Sequence, residues 1–524
     1  MHITTRRLHS ACTRGLMGVA VLALATLLTS CDKSITDLEP LPPMAAANVD
    51  AGAGNWAMIV LSSPSQIAVA APTAITSDAY KAELAALRSA QTSVTSVQRA
   101  KIDYWAGGGV LRWNQIVRGL VARFNLPPAP RADGSYVFPD ASNPFGDPAF
   151  PFATPPYSAR AYSYIAVAQY EALKAAWYYK YQYNRPAPWK NDTGIRALAP
   201  TTDLPSYPSE DAVLSGVTVA MLQALFPAAV EEATKRGAEQ RDAALLSGRA
   251  SGSDIAAGVA LGRAVATLVL ARMTTDGTGN AIGTPAIWAA LADSVRARGE
   301  TPWLSRETPA RPPMLPLFGN VRTWSMTSAE LVTARPVAPY PVASAAMKSD
   351  LAEVRRTTEK LTTAERAIAQ KWNDGAGTYT PPGHWNDIAT DFIRDARFSE
   401  VRAARAFALL NMAMHDASVA CWEAKYKYFN PRPSQLDPAI RTDIGLPNFP
   451  AYPSGHSTFS AAAADVLGYL FPASAANFRT MSDEAGMSRL YGGIHFRNDI
   501  IEGKSHGNRV AAFTLRFARS DGAP

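Results

Sequence analysis

Cysteine is nearly absent from these 524 residues, with only three, at positions 12, 31 and 421. So few exclude a disulfide framework and a cysteine-rich metal cluster. Charged residues are also modest, 18% of the chain with a formal balance of +7. Arg6, Arg7 and Arg14 lie in a stretch read below as cleaved, and without them the balance falls to +4. That is too small and too dispersed to argue for nucleic acid. The apolar run Leu16–Leu28 is too short to span a bilayer. What the chain has in quantity is hydrophobic residues, 47%, the composition of a globular protein with a large core. Its length suits two or three domains, or one large two-lobed unit.

The N-terminus, MHITTRRLHSACTRGLMGVAVLALATLLTSC, sets basic residues before that short apolar run, the order of an export signal. Leu28-Thr29-Ser30-Cys31 resembles a bacterial lipobox, in which the cysteine becomes lipidated and N-terminal. The expectation is a signal peptide over 1–30 and lipidation at Cys31, giving an exported protein anchored at the periplasmic face. Membrane contact is then through the lipid alone. Cys12 leaves with the signal, so Cys421 stands alone and no intramolecular disulfide is available.

Residues 31–75 read as a polar tether followed by an extended segment, with one or two short strands at most in WAMIVLSSPSQIAVAAP (56–72). Apolar residues at helical spacing predict a helical bundle over 76–272, a Pro-rich linker over 273–344 and a second bundle over 345–524. The second bundle echoes the first at an offset of 245: Trp177 with Trp422, Lys180 with Lys425, YPSED (207–211) with YPSGH (452–456), and Asp254 with Asp499. A constant offset over such a span reads as internal duplication. The expected fold is therefore all-α, two duplicated helical bundles related by pseudo-twofold symmetry. The first half has Glu210 and Asp211 where the second has Gly455 and His456, and Ala244 and Ala250 where it has Arg489 and His495. One live site and one degenerate copy would look like this.

Three stretches of the second half supply the chemistry: KYKYFNPRP with Lys425 and Arg432, PSGH with Ser454, Gly455 and His456, and SRLYGGIHFRND with Arg489, His495 and Asp499. Two arginines and a lysine offer charge-assisted donors to a tetrahedral oxyanion. Ser454 and the Gly455 N–H add donors at a helix start, where glycine lets the backbone approach closely. His495 and Asp499 are four apart, which predicts one helix face, with the carboxylate taking one ring N–H and freeing the other nitrogen. His456 is placed opposite as proton donor and acceptor.

Taken together, these motifs resemble the superfamily of type-2 phosphatidic acid phosphatases and vanadium-dependent haloperoxidases. HDASVACWEAKYKYFNPRP, PPGHWNDIA (381–389) and PLFGNVRTW (316–324) extend the likeness toward bacterial haloperoxidase-type members, as does the chain length. In a haloperoxidase the resemblance implies vanadate as cofactor and peroxide and halide as substrates. His495 would then be the vanadium ligand, Lys425, Arg432, Ser454, Gly455 and Arg489 would hold the oxygens, and His456 would handle protons. In a phosphatase it implies a phosphoester substrate, His495 as nucleophile, His456 as acid toward the leaving alcohol, and no cofactor. Trp422 and Phe449 match pocket-wall positions of the haloperoxidases, although Trp177 in the first half makes scaffold an equal reading for Trp422. A third reading is a non-catalytic oxyanion-binding lipoprotein, against which the two histidines argue.

Other polar residues take plainer readings. His415-Asp416 is expected as a buried polar pair, with Asp416 allowed a supporting role that holds one of the arginines. His384 reads as a loop-to-helix cap, and His506 is expected at the surface. The aromatic and cationic run WYYKYQYNRP (177–186) is the counterpart of the Lys/Arg motif, not a nucleic-acid platform.

Overall fold

A computed structural model of the chain describes residues 41–126, 129–136 and 154–524. The signal stretch, the lipobox and Cys31 lie outside the described residues. The described chain from Pro42 to Pro524 forms one compact unit. It is built from helices, with no strand among the described residues.

The first run comprises α1 (Asp78–Gln91), α2 (Ser96–Trp105), α3 (Gly109–Phe124), α4 (Pro155–Tyr183), α5 (Pro188–Asn191), α6 (Glu210–Leu225), α7 (Val230–Leu246) and α8 (Gly252–Thr274). After α9 (Pro285–Arg296) and α10 (Ser328–Ala334) comes a second run: α11 (Ala345–Glu359), α12 (Thr363–Lys371), α13 (Thr380–Asp395), α14 (Glu400–Tyr428), α15 (Pro433–Leu436), α16 (Gly455–Leu470), α17 (Ala475–Tyr491) and α18 (Arg497–Ala518). The starts of α14 to α18 fall 245 residues after those of α4 to α8. The two longest helices, α4 and α14, pack against each other at the centre and are buried along most of their length.

Local chemistry explains the ends of the second-run helices. Ser399 caps α14, its hydroxyl accepting from the Arg402 N–H at 3.2 Å, and Phe429 ends the helix in the left-handed region at φ 53°. Ser454 caps α16 and accepts from the Ser457 N–H at 3.4 Å. Close approach of α18 to α16 depends on small residues: a Cβ on Gly503 would lie 2.7 Å from the Ser454 carbonyl oxygen, and one on Gly507 would overlap the Thr458 carbonyl. Hence α18 can bring its first turn against the start of α16, and the Ser454 N–H donates to the Asp499 carbonyl at 2.9 Å.

Two segments depart from the expectations. The stretch 56–72 is irregular: Ile59, Val60 and Leu61 donate their backbone N–H groups to the Glu171 carboxylate at 2.8–2.9 Å, so a side chain on α4 replaces the ladder a strand would need. The Pro-rich linker contains α9, which opens on Thr284-Pro285, and α10, which opens on a Thr327/Glu330 capping box. It also packs on the second run, with the Trp303 N–H donating to the Phe429 carbonyl and the Met314 N–H to that of Asn448.

Candidate active site

The N-terminus of α16, the C-terminal end of α14 and the loop before α18 bring the three motifs together. His495 sits in that loop, one residue before the cap of α18, and not on the helix as its spacing to Asp499 had predicted. Asp499 is in the first turn of α18 and reaches backwards. Its Oδ2 accepts from the Phe496 N–H at 3.1 Å and from His495 Nδ1 at 2.9 Å. With Nδ1 as donor, Nε2 keeps its lone pair, and that atom faces the Arg432 guanidinium, 2.9 Å from Nη1. Burial and the charges of Arg432 and Lys425 hold the His495 imidazole well below the ordinary histidine range, so the ring stays neutral.

The cations hold the walls together as well as facing the centre. Arg432 donates from Nε and Nη2 to the Phe449 carbonyl at 3.1 and 3.0 Å, and from Nη1 to that of Ile494 at 2.8 Å. Lys425 Nζ donates to three carbonyls, Pro450, Ala451 and Pro453, at 2.9, 2.8 and 2.6 Å. It therefore clamps the turn that precedes α16, and its charge acts directly on His495. Burial pulls Lys425 down to about 7 and Arg432 to about 9. The same burial pushes Asp499 up to about 7, against the Phe496 N–H and both cations. Arg489 closes the other side, bonded through Nε to Ser488 Oγ at 2.9 Å and through Nη2 to the Trp372 carbonyl. Its Nη1 approaches the Asn373 carbonyl at 3.4 Å.

Gly455 and His456 are the first two residues of α16, where backbone N–H groups have no intrahelical acceptor. A Cβ on Gly455 would meet nothing closer than Phe459, at 3.8 Å, so space is open at the helix start. The first half shows what that space accepts. Glu210 stands in the position of Gly455, and its carboxylate lies 2.8 Å from Lys180 Nζ, the counterpart of Lys425. Lys180 also donates to the Pro205 carbonyl, as Lys425 does to that of Pro450. In the position of His456, Asp211 pairs with Arg249 at 2.6 Å. The first half carries carboxylates where the second has Gly455 and His456.

His456 Nε2 faces Asp374 Oδ2 across 3.4 Å. Burial, helped by Arg489, lowers the ring to about 4, and Asp374 opposes that shift. Asp374 stands in the loop between α12 and α13 and was missed in the sequence; its charge is sustained against burial by His384 and His456, which hold the carboxyl well below the usual range. The signal for it lay in the repeat, since WAGGG after Trp105 has no acid where WNDGAG after Trp372 has one.

Beside the cage is a cavity of about 460 Å³ whose lining includes Met314, Asp374, Leu446, Pro447, Phe449 and Arg489. Of the two expected wall aromatics, Phe449 lines it. Trp422 does not: it is 1% exposed and packs behind Phe449, ring centroids 5.0 Å apart, its Nε1 donating to the Met314 carbonyl. Asp416 corrects another expectation. Its oxygens accept from the Trp324 and Ser325 N–H groups at 2.7 and 2.8 Å, so it fastens the linker to α14 and holds none of the site arginines. His415 is buried beside it, as expected. His506 is fully buried, contrary to its predicted exposure, because it lies on the face of α18 that also carries Gly503, Gly507 and Val510.

Among the described residues, the all-helical fold carries a buried site walled by Lys425, Arg432 and Arg489 at a helix N-terminus. Residues 404–522 match the model of the PAP2 superfamily. The fold as a whole is similar to that of the first bacterial vanadium-dependent iodoperoxidase, at 22% identity and a TM-score of 0.56, over 77% of this chain and 94% of that one. A holo-type bacterial vanadium-dependent chloroperoxidase aligns over 69% of this chain and 91% of its own, at 13% identity and a TM-score of 0.48. No curated protein matches the sequence.

Proposed function

We propose that the chain is a vanadium-dependent haloperoxidase-like enzyme. The observation that carries the reading is the His495 ring, fixed through Nδ1 by Asp499, whose Nε2 faces a guanidinium at the open start of α16. The donor set fits vanadate: a neutral imidazole nitrogen, two arginines, and helix-start N–H groups with room beside Gly455. His495 Nε2 would be its protein ligand, and Arg432, Arg489, Ser454, Gly455 and, through its charge, Lys425 would hold its oxygens. Bound vanadate would supply the Lewis-acidic centre that activates peroxide toward halide. The chain's own work is to keep His495 neutral, to set positive charge around the anion and to move a proton through His456. Likeness of fold to the iodoperoxidase supports this choice over a phosphatase.

In the phosphatase reading the same atoms serve differently: Nε2 of His495 attacks phosphorus and His456 protonates the departing alcohol. Assays of the protein stripped of bound anion separate the two. Peroxide-dependent halogenation of a dimedone-type acceptor that requires orthovanadate supports the haloperoxidase. Phenyl phosphate hydrolysis that orthovanadate suppresses would replace it with the phosphatase. Neither activity, with orthovanadate still bound, would leave an anion-binding protein. We further propose export and lipid anchoring at Cys31; a Cys31→Ala chain that labels with a fatty-acid probe as strongly as the parent would overturn that.

A further inference from the structure

Asp374 carries more than one contact of the site, although it belongs to none of the three motifs. It follows Trp372 and Asn373, whose carbonyls face Arg489, so one short turn touches both Arg489 and His456. Its backbone is in the left-handed region at φ 48°, where an aspartate is strained relative to a glycine. Its side chain is held from α13. His384 Nδ1 lies 3.1 Å from Asp374 Oδ1.

His384 is itself gripped. Its ring stacks on Trp372 with centroids 4.3 Å apart and planes at 26°, and it meets Tyr379 edge-on at 6.2 Å. Trp372 is pinned by its Nε1–H to Glu484 at 2.8 Å, with Lys371 over its ring. The charged and titratable groups around the pair are thus Asp374, His456, Arg489, Glu484, Lys371 and Tyr379. Beyond the His384 contact, Asp374 Oδ2 and His456 Nε2 are both buried, and neither makes a hydrogen bond elsewhere. The two unpartnered atoms face each other.

We propose that His384 is a positioning residue: by holding Oδ1 of Asp374 it aims Oδ2 at His456 Nε2, and so fixes the His456 tautomer. A neutral His456 with its proton on Nε2 presents an unprotonated Nδ1, the form that can take a proton from the reacting group. Without His384 the carboxylate can turn away and the ring can hold its proton on either nitrogen. This role builds on the proposed acid–base work of His456, whichever of the two reactions that work serves.

The test is imidazole ¹⁵N NMR of full-length, ¹⁵N-histidine-labelled protein at pH 7.5 without added oxyanion, the His456 signals assigned with His456→Gln. The parent should show a single Nε2–H tautomer. His384→Phe keeps the stack on Trp372 and deletes the N–H; it should give a mixture of tautomers, as should Asp374→Asn. His384→Gln, whose amide can donate to Oδ1, should restore the single tautomer. In whichever assay the protein turns over, His384→Phe should lower kcat about tenfold to a hundredfold with KM little changed. Orthovanadate affinity and the unfolding midpoint should stay near those of the parent. The same single tautomer in parent and His384→Phe would overturn the proposal. Failure of both activity assays would count against the proposed function and leave the tautomer result standing.

Discussion

Arg432 Nη1 lies 2.9 Å from His495 Nε2, and the same guanidinium spans to the carbonyls of Phe449 and Ile494. A cation that would normally repel a histidine donates to its lone pair, which requires the ring to be neutral and its other nitrogen to carry the proton. Asp499 enforces that tautomer from the first turn of α18.

Asp499→Asn should test that enforcement. An amide at this position can present its N–H₂ to the ring, which favours the wrong tautomer. Turnover should fall by about 10²–10⁴-fold, the scale seen when a buried acid stops orienting a histidine. His495→Ala should reduce turnover to background while orthovanadate affinity falls less. Steady-state kinetics beside isothermal titration with orthovanadate measure both.

Removal of the Lys425 ammonium should act first on structure. Lys425→Ala removes the ammonium donor of three carbonyls, those of Pro450, Ala451 and Pro453, and leaves Pro453 only the weak Cys421 thiol. A loss of about 3 kcal/mol in unfolding free energy is expected, and more if the turn before α16 opens. Urea denaturation reads the loss, and limited proteolysis should reveal new cleavage within 447–454. A variant as stable as the parent would show that the clamp adds nothing.

Acid should weaken the fold through buried histidines. Burial lowers His415 and His506 from 6.5 to about 3, so between those values the unfolded chain binds protons that the folded chain refuses. The stability they allow is present above pH 6.5 and is lost as pH falls toward 3. Each histidine contributes about 1.4 kcal/mol per pH unit, about 2 kcal/mol by pH 5. His506→Leu, which removes a ring with no hydrogen bond at either nitrogen, should flatten that slope by one histidine's share. Denaturation curves at pH 7.5 and 5 compare the two proteins.

Phe449 should matter to the reaction more than Trp422 does. Phe449→Ala opens the wall between the cavity and Arg432 and should change KM for an organic or halide substrate several-fold. Trp422→Ala excavates the core behind it and should cost about 3–5 kcal/mol of stability. Paired measurements of KM and unfolding midpoint separate the two; equal effects on both would place the residues in one role.

The motifs were legible because Lys425, Arg432, Ser454-Gly455-His456, Arg489, His495 and Asp499 gather in three short stretches of the second half. Helical spacing likewise declared an all-α chain, and the recurrence at 245 anticipated where helix starts recur. Both are local properties, carried by neighbours along the chain.

Tertiary packing decided the rest. Asp374 reaches His456, 82 residues away, only because the loop after α12 folds over the start of α16, and His384 meets that loop from α13. Trp422 became core and Phe449 wall because one side of their contact faces α14 and the other a cavity bounded in part by the linker. Asp416 went to the backbone of Trp324 and Ser325, since a buried carboxylate takes the nearest unsatisfied donors and only the path of the linker determines which those are. Sequence by itself determined which donors and acceptors lie close together along the chain; the fold decided which of them line the site and which are spent holding its walls in place.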